Sequence, residues 1–160
     1  MLSKPQFGWT DITIGDWTGK LSYIDDVPVV LLNAFYNVFS NQKPEVVCFD
    51  TEGMNYWIVF DLFDTIIVTE DENCQYSVSH QNAGVRNLGM QMWNDIVYET
   101  EGWVRWAIGD NNAKDYEERN ELLHSKLKQL KGIMHPYETE RHLPTLRKEC
   151  DNENHQTRQT

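Results

Sequence analysis

The beginning of the chain shows a strand pattern followed by a helix pattern. Residues 9–14 (WTDITI) alternate between the two sides of an extended chain, and the turn sequence GDWTG separates them from KLSYID, which predicts a β-hairpin. In the next segment, DDVPVVLLNAFYNVFSNQ, polar residues recur at i, i+4 and i+7, and apolar residues fill the rest of the helical wheel. We predict a largely buried helix, capped by Asp25 or Asp26 and ended by Asn41 in a left-handed conformation.

The middle of the chain carries four short runs rich in Val, Ile, Phe, Tyr and Trp, at residues 45–50, 55–61, 65–69 and 75–80. Such residues favour strands, and the short polar breaks between the runs favour tight turns, so we predict an antiparallel meander. Residues 56–60 are apolar in both alternating sets, which predicts a central strand covered on both faces. Cys48 is predicted to be a small core residue.

The C-terminal half returns to helical periodicity. From Val85 to residue 108 the pattern fits either one long helix or two helices broken near Gly102, with Gly109 as a stop. Residues 112–131 predict a further helix, because Asn112 can cap it, acids crowd its first turns and lysines its last. Beyond Met134 the periodicity is lost, so we expect a polar tail over 135–160 whose last dozen or so residues are disordered.

Together these elements predict a single α+β domain over residues 1–134. It contains an antiparallel sheet of about five or six strands, built from the N-terminal hairpin and the meander. One N-terminal helix and two or three C-terminal helices are expected to pack on this sheet.

The charge of the chain is concentrated in its first two-thirds. Residues 1–112 hold 5 basic and 16 acidic side chains and so carry the whole formal charge of −11, whereas residues 113–160 hold 9 of each. A negative field of this kind repels nucleic acids and anionic membranes and attracts basic partners. We therefore expect a protein partner, and neither a nucleic acid nor a membrane.

Three further absences bear on the location of the protein. The sequence shows no signal peptide at MLSKPQFGWTD, no apolar run of membrane-spanning length, and no disulfide or zinc spacing among its three cysteines. These observations predict a cytoplasmic protein.

Carboxylates gather where the predicted strands end. Ionised carboxylates are costly to desolvate within a sheet, so they are expected at solvent-exposed turns. The residues concerned are Asp50, Glu52, Asp61, Asp64, Glu70, Asp71 and Glu72. No nucleophile motif, phosphate loop, zinc motif or calcium loop accompanies them, which predicts a chain without catalytic residues, metal or cofactor.

Two alternatives stay open. Asp50, Glu52, Asp61 and His80 could cluster at strand ends as the metal site of a small hydrolase. The helix over 112–131 has an apolar seam at coiled-coil spacing and could pair with another chain in a structural adaptor.

Aromatic residues provide the second candidate feature. The chain has six tryptophans, and Trp and Tyr are favoured in protein interfaces because each covers a large area at little entropic cost. The segment WVRW would place Trp103 and Trp106 on one side of a helix. We take these two residues, with Trp17 and Tyr23, as candidate binding anchors.

The segments FGWTDITIGDW, LSYIDDVPVVLL, FDTEGMNYWIVF and EGWVRW resemble small acidic immunity proteins of bacterial polymorphic-toxin and contact-dependent growth inhibition systems. The resemblance implies a cytoplasmic, non-enzymatic protein that binds one cognate toxin domain, often a nuclease, and blocks its active site or substrate groove. The charge of the chain agrees with this implication, because a nuclease needs a basic groove for phosphates and an acidic protein can occupy that groove.

Overall fold

The computed structural model describes residues 1–106 and 113–139, which form six strands and four helices. In chain order these are β1 (Trp9–Ile14), β2 (Trp17–Ser22), α1 (Val27–Asn41), β3 (Glu45–Asp50), β4 (Asn55–Phe60), β5 (Thr65–Glu70), β6 (Tyr76–Gln81), α2 (Val85–Tyr98), α3 (Thr100–Trp106) and α4 (Ala113–Thr139). The predicted α+β class is confirmed. The strands form two antiparallel sheets, however, because the hairpin β1–β2 stands apart from the four-stranded meander β3–β4–β5–β6.

Helix α1 is the buried centre of the domain. Its core-facing side chains recur every three or four residues and are almost inaccessible to solvent. They include Leu31, Phe35 and Val38. The predicted caps are wrong in detail: the Asp26 side chain makes no capping hydrogen bond, and the left-handed residue at the C-terminus is Gln42. Asp26 fails as a cap because its carboxylate is engaged by an arginine of α4.

One face of the four-stranded sheet packs against α1 and the hairpin. The rings of Phe35 in α1 and Phe60 in β4 meet edge to face with centroids 4.8 Å apart. The ring of Trp17 in β2 meets that of Tyr56 in β4 in the same way, at 5.2 Å. We call this side of the sheet the inner face. Its central side chains are buried, among them Val47, Phe49, Ile58 and Ile67.

The remaining helices pack on α1 and on one another. The segment after Val85 forms two helices, and the break falls at Glu99 rather than near Gly102. There the Thr100 hydroxyl donates to the carbonyls of Ile96 and Val97 in the last turn of α2. These hydrogen bonds provide the carbonyls with a donor where the helix ends.

Helix α4 runs to Thr139, past its predicted end at residue 131 and past the predicted domain boundary at 134. Burial of Met134 against α1 and α2 keeps this turn in the fold, and a Cβ on Gly89 would lie 2.7 Å from the Met134 sulfur. The predicted cap Asn112, the predicted stop Gly109 and residues 140–160 of the predicted tail lie outside the described residues.

A buried ion pair ties α4 to the start of α1. Both terminal nitrogens of Arg119 donate to the carboxylate of Asp26, one of them at 2.6 Å, and the arginine side chain is only 7% exposed. Beside this pair, the indole N–H of Trp106 donates to the carbonyl oxygen of Asp25 at 2.9 Å. Two elements distant in sequence are therefore fixed at the same helix N-terminus.

Replacing Arg119 by Met should lower the free energy of unfolding by about 2–3 kcal/mol, because Asp26 would keep a partly buried charge without its partner. Replacing Arg105 by Met breaks an exposed pair with Glu101 and should cost less than about 1 kcal/mol. Urea unfolding followed by tryptophan fluorescence measures both values. Equal losses would show that the buried pair contributes no more than a surface pair.

Candidate protein-interaction face

The side of the four-stranded sheet that faces away from α1 is apolar and open to solvent. We call it the outer face. Alternate residues of each strand project from it, and none of its apolar side chains is buried. Val46 is 58% and Val78 70% exposed. The apolar and thiol side chains of the outer face are Val46, Cys48, Trp57, Val59, Ile66, Val68, Tyr76 and Val78.

The strand register makes this face continuous. Cys48, Trp57, Val68 and Val78 are direct neighbours in one row across all four strands. The rings of Trp57 and Tyr76 lie with centroids 6.3 Å apart and join this row to the next. The largest contiguous apolar patch on a protein surface is often functional, so the outer face is a candidate interaction surface.

The structure differs from two sequence predictions about these strands. Strand β4 is central, as predicted, but the described part of the chain covers it on one face only, and Cys48 is exposed rather than part of the core. The physical reason is the position of the later helices, which pack on α1 instead of crossing the sheet. Partial burial, with the negative charges of Asp25 and Asp50, raises the pKa of the Cys48 thiol, so this thiol is a weak nucleophile at neutral pH.

All seven predicted carboxylates lie at the two ends of the four-stranded sheet, and none is buried. We call them the acidic rim. The β3–β4 and β5–β6 turns share one end and carry Asp50, Glu52, Glu70, Asp71 and Glu72. The β4–β5 turn lies at the opposite end and carries Asp61 and Asp64. No Lys or Arg occurs between residues 45 and 81, so no cation of this segment offsets the rim.

Backbone hydrogen bonds hold several rim carboxylates in place. Asp71 accepts from the amides of Asn73 and Gln75, each at 2.9 Å, and Asp50 accepts from the amide of Glu52 at 3.0 Å. Such bonds fix the direction of the carboxylate as well as the shape of the turn. The rim is therefore part of the fold rather than a set of freely moving charges.

Three side-chain contacts connect the rim to the outer face. Glu70 accepts from the Asn55 amide at 3.1 Å and from the Tyr76 hydroxyl at 2.7 Å, and its hydrogen bond and charge raise the pKa of the Tyr76 phenol. At the other end, a ring nitrogen of His80 lies 3.1 Å from an oxygen of Asp64. Polar anchors thus border the apolar rows at both ends.

The residues proposed for a hydrolase site do not come together. Asp50 and Glu52 lie at one end of the sheet, whereas Asp61 and His80 lie at the other, and a six-residue strand separates them by about 20 Å. Across residues 1–106 and 113–139, no group of three or more His, Cys, Asp or Glu side chains is placed to hold a metal ion. The expected cluster is wrong.

The predicted aromatic anchors lie elsewhere in the fold. Trp103 is completely buried, so its assignment as a binding residue is wrong. Trp17 and Trp106 are half-buried and pack internally, on Tyr56 and on Trp103 respectively. Tyr23 is 59% exposed but follows the end of the hairpin, outside the outer face.

The aromatic residues of the outer face, half-buried Trp57 and exposed Tyr76, were missed from the sequence. The signal for Trp57 was present in NYWIVF, where the second alternating apolar set lies on the outer face instead of beneath a covering layer. Tyr76 begins β6, where its neighbours gave no indication of an interface.

Comparison of the chain with protein-family models, with curated proteins and with solved structures finds no match. In the part of the chain that the structure describes, no helix combines the length and apolarity needed to cross a membrane. The outer face and its acidic rim are therefore the features of the molecule that bear on its function.

Val47 and Val78 provide a matched test of the two faces of the sheet. Both lie in edge strands, but Val47 is on the inner face and Val78 is on the outer face. Val47→Ala should cost about 2 kcal/mol of unfolding free energy, because it opens a cavity in the core. Val78→Ala should cost less than about 1 kcal/mol, which is the range of strand propensity alone. Chemical denaturation of the two variants measures the difference. Equal costs would mean that the outer face is covered in solution.

Proposed function

We propose that this chain is a non-catalytic immunity protein that captures a cognate bacterial toxin domain on the outer face and neutralises it. One observation carries the proposal. An exposed apolar sheet face is bordered at both ends by carboxylates, and the segment that builds it contains eight acidic residues and no Lys or Arg.

The two parts of this surface have different roles in binding. Burial of Trp57, Tyr76 and the valines around them supplies affinity, because removing apolar area from water is favourable and aromatic residues dominate interface energetics. The acidic rim supplies orientation and speed, because complementary charges steer the encounter. A nuclease toxin fits this surface, since its phosphate-binding groove is basic and the carboxylates can occupy it in place of nucleic acid.

The size of the sheet indicates that the rim itself contacts the partner. Four strands of six residues present a face of roughly 15 by 20 Å. A stable interface covers about 800 Å² on each partner, which is more than this face alone provides. The remaining area is available at the strand ends, where the acidic rim lies.

The proposal places the protein in the cytoplasm. Cys48 and Cys74 are both exposed and unpaired, which suits a reducing compartment. The adaptor alternative has no comparable support, because the seam of α4 is used inside the domain: Leu123, Leu127 and Leu130 are all buried.

The immunity assignment predicts that a toxin domain is encoded next to this chain's gene, and that co-expression of this chain with that domain restores bacterial growth. Trp57→Asp should abolish this protection, because it places a charge at the centre of the apolar contact. Tyr98→Asp is the matched control, since Tyr98 is 86% exposed on α2, away from the sheet, and the variant should protect like the original protein.

The same growth assay can contradict the proposal in two ways. If the unaltered chain fails to restore growth against the neighbouring toxin domain, the assignment as an immunity protein is wrong. If Trp57→Asp is folded by circular dichroism and still protects, the immunity function stands but the outer face is not its binding surface.

Charge neutralisation should separate the contribution of the acidic rim to binding from that of the apolar centre of the outer face. Changing Asp50, Asp64 and Asp71 to Asn and Glu72 to Gln keeps the turn acceptors but removes four charges. The association rate with the toxin domain should then fall about tenfold or more at low salt, with a smaller change in the dissociation rate. Stopped-flow fluorescence over a range of salt concentrations measures both rates.

The control for this experiment removes the same number of charges from a different surface. The residues changed to amides are the exposed acids of α4, Asp115, Glu117, Glu118 and Glu121. If charge acts only through the net value, both quadruple variants will slow association equally. The proposal requires the rim variant to be clearly slower.

A further inference from the structure

The two edge strands of the four-stranded sheet, β3 and β6, differ in how their free edges are protected. The free edge of β3 is partly closed, because the backbone amide of Asp50 donates to a carboxylate oxygen of Asp25 at 2.9 Å and the end of the hairpin is tied to the adjoining turn by the Ser22–Glu52 hydrogen bond. Strand β6 lies at the opposite edge, and no strand of the described chain pairs with its free side. An exposed edge without Pro, Lys or a bulge is a template for another strand.

The register shows which backbone groups of β6 are free. In antiparallel pairs, facing residues alternate between those that exchange hydrogen bonds and those that do not. The amide of Asp71 donates to the carbonyl of Gln75 at 3.0 Å, so the hydrogen-bonded set continues through Ser77 and Ser79. The amides and carbonyls of Tyr76, Val78 and His80 therefore point away from β5. Within the described residues, these groups have no hydrogen-bond partner.

We propose that β6 receives an extended segment of the toxin domain as a fifth strand, with Lys or Arg at both ends of that segment. This inference rests on the proposed function and specifies how the partner is held. Such strand addition satisfies the free amides and carbonyls of β6 and extends the outer face by one strand.

Charge determines the chemistry of the added segment. One end of β6 adjoins the β5–β6 turn with Asp71 and Glu72, and the other end adjoins Asp64 and Asp16, whose backbone amide donates to the Gln81 side chain. Basic side chains at both ends would meet carboxylates, while alternating apolar side chains between them would continue the row that ends at Val78.

The same charges disfavour a second copy of this chain as the occupant. Antiparallel pairing of two β6 strands would bring Asp71 and Glu72 of each copy close to Asp64 and Asp16 of the other. Like charges placed opposite one another across strands destabilise the pairing. A basic segment is the occupant that the local charge favours.

The probe for the test is a synthetic peptide, Lys-Val-Thr-Val-Thr-Val-Lys, added to the isotopically labelled full chain. Amide hydrogen exchange by NMR should slow at least about tenfold at Tyr76, Val78 and His80, which gain hydrogen bonds. Ser77 and Ser79 serve as internal controls, because their amides already bond to β5. A peptide with Glu in place of both lysines should bind at least about tenfold more weakly than the lysine peptide, because like charges then face the rim.

Two further controls isolate the backbone contribution. Val78→Pro removes one free amide without removing a bond to β5, and should weaken peptide binding by about tenfold, whereas Val78→Thr keeps the amide and should bind within about threefold of the original. If Val78→Pro does not fold, a peptide methylated on its backbone nitrogens provides the same test, because it cannot pair with the edge.

Several results would overturn strand addition. One is a peptide that leaves the three edge amides exchanging as in the free chain, and another is a methylated peptide that binds equally well. A third is protection of these amides by dimerisation without peptide. If Val78→Pro binds the toxin domain as tightly as the original chain does, strand addition fails and the immunity function stands. If the peptide protects the edge amides but the chain gives no protection in cells, the proposed function fails while the edge site stands.

Discussion

A β-strand sends alternate side chains to opposite faces of its sheet, and the elements formed by residues 1–106 and 113–139 cover only one face of the four-stranded sheet. Helix α1 and the hairpin occupy the inner face, with the Phe35–Phe60 and Trp17–Tyr56 contacts at its centre. The later helices pack mainly on α1 and on one another. An apolar set of side chains is left in water, and burying it against a partner is favourable. The outer face is thus a consequence of how the domain distributes its own packing.

The ends of the strands place negative charge at the border of this apolar face. Side-chain acceptors stabilise tight turns, and here Asp50 and Asp71 accept from turn amides while keeping their charge in contact with solvent. The same carboxylates therefore stabilise the turns and define the electrostatic border of the outer face. Because backbone amides fix the directions of these carboxylates, a partner of the proposed kind would bind a preorganised set of acceptors, which reduces the entropy lost on binding. The fold and the proposed binding chemistry rest on the same bonds.

Local sequence patterns were sufficient to predict the strands and helices, but not to predict which faces of the sheet other elements cover. The six strands, α1 and the α+β class follow from periodicity and from turn residues, since both act over a few neighbouring positions. Whether β4 is covered once or twice depends on where α2 to α4 pack, which periodicity does not encode. Cys48 and Trp103 were misplaced for this reason: each was assigned to core or surface by its type, and the tertiary fold reversed both assignments. The acids at the strand ends were placed correctly, because the cost of desolvating a carboxylate acts at every position independently of topology.

We propose that the outer face, rather than a helical surface, contacts the partner. Hydroxyl-radical footprinting of a complex with the proposed toxin partner, read by mass spectrometry, distinguishes these two surfaces. We expect the oxidation of Trp57 and Tyr76 to fall in the complex, while that of Tyr98 on α2 keeps the rate of the free chain. Unchanged oxidation of Trp57 and Tyr76, together with protection of Tyr98, would contradict it.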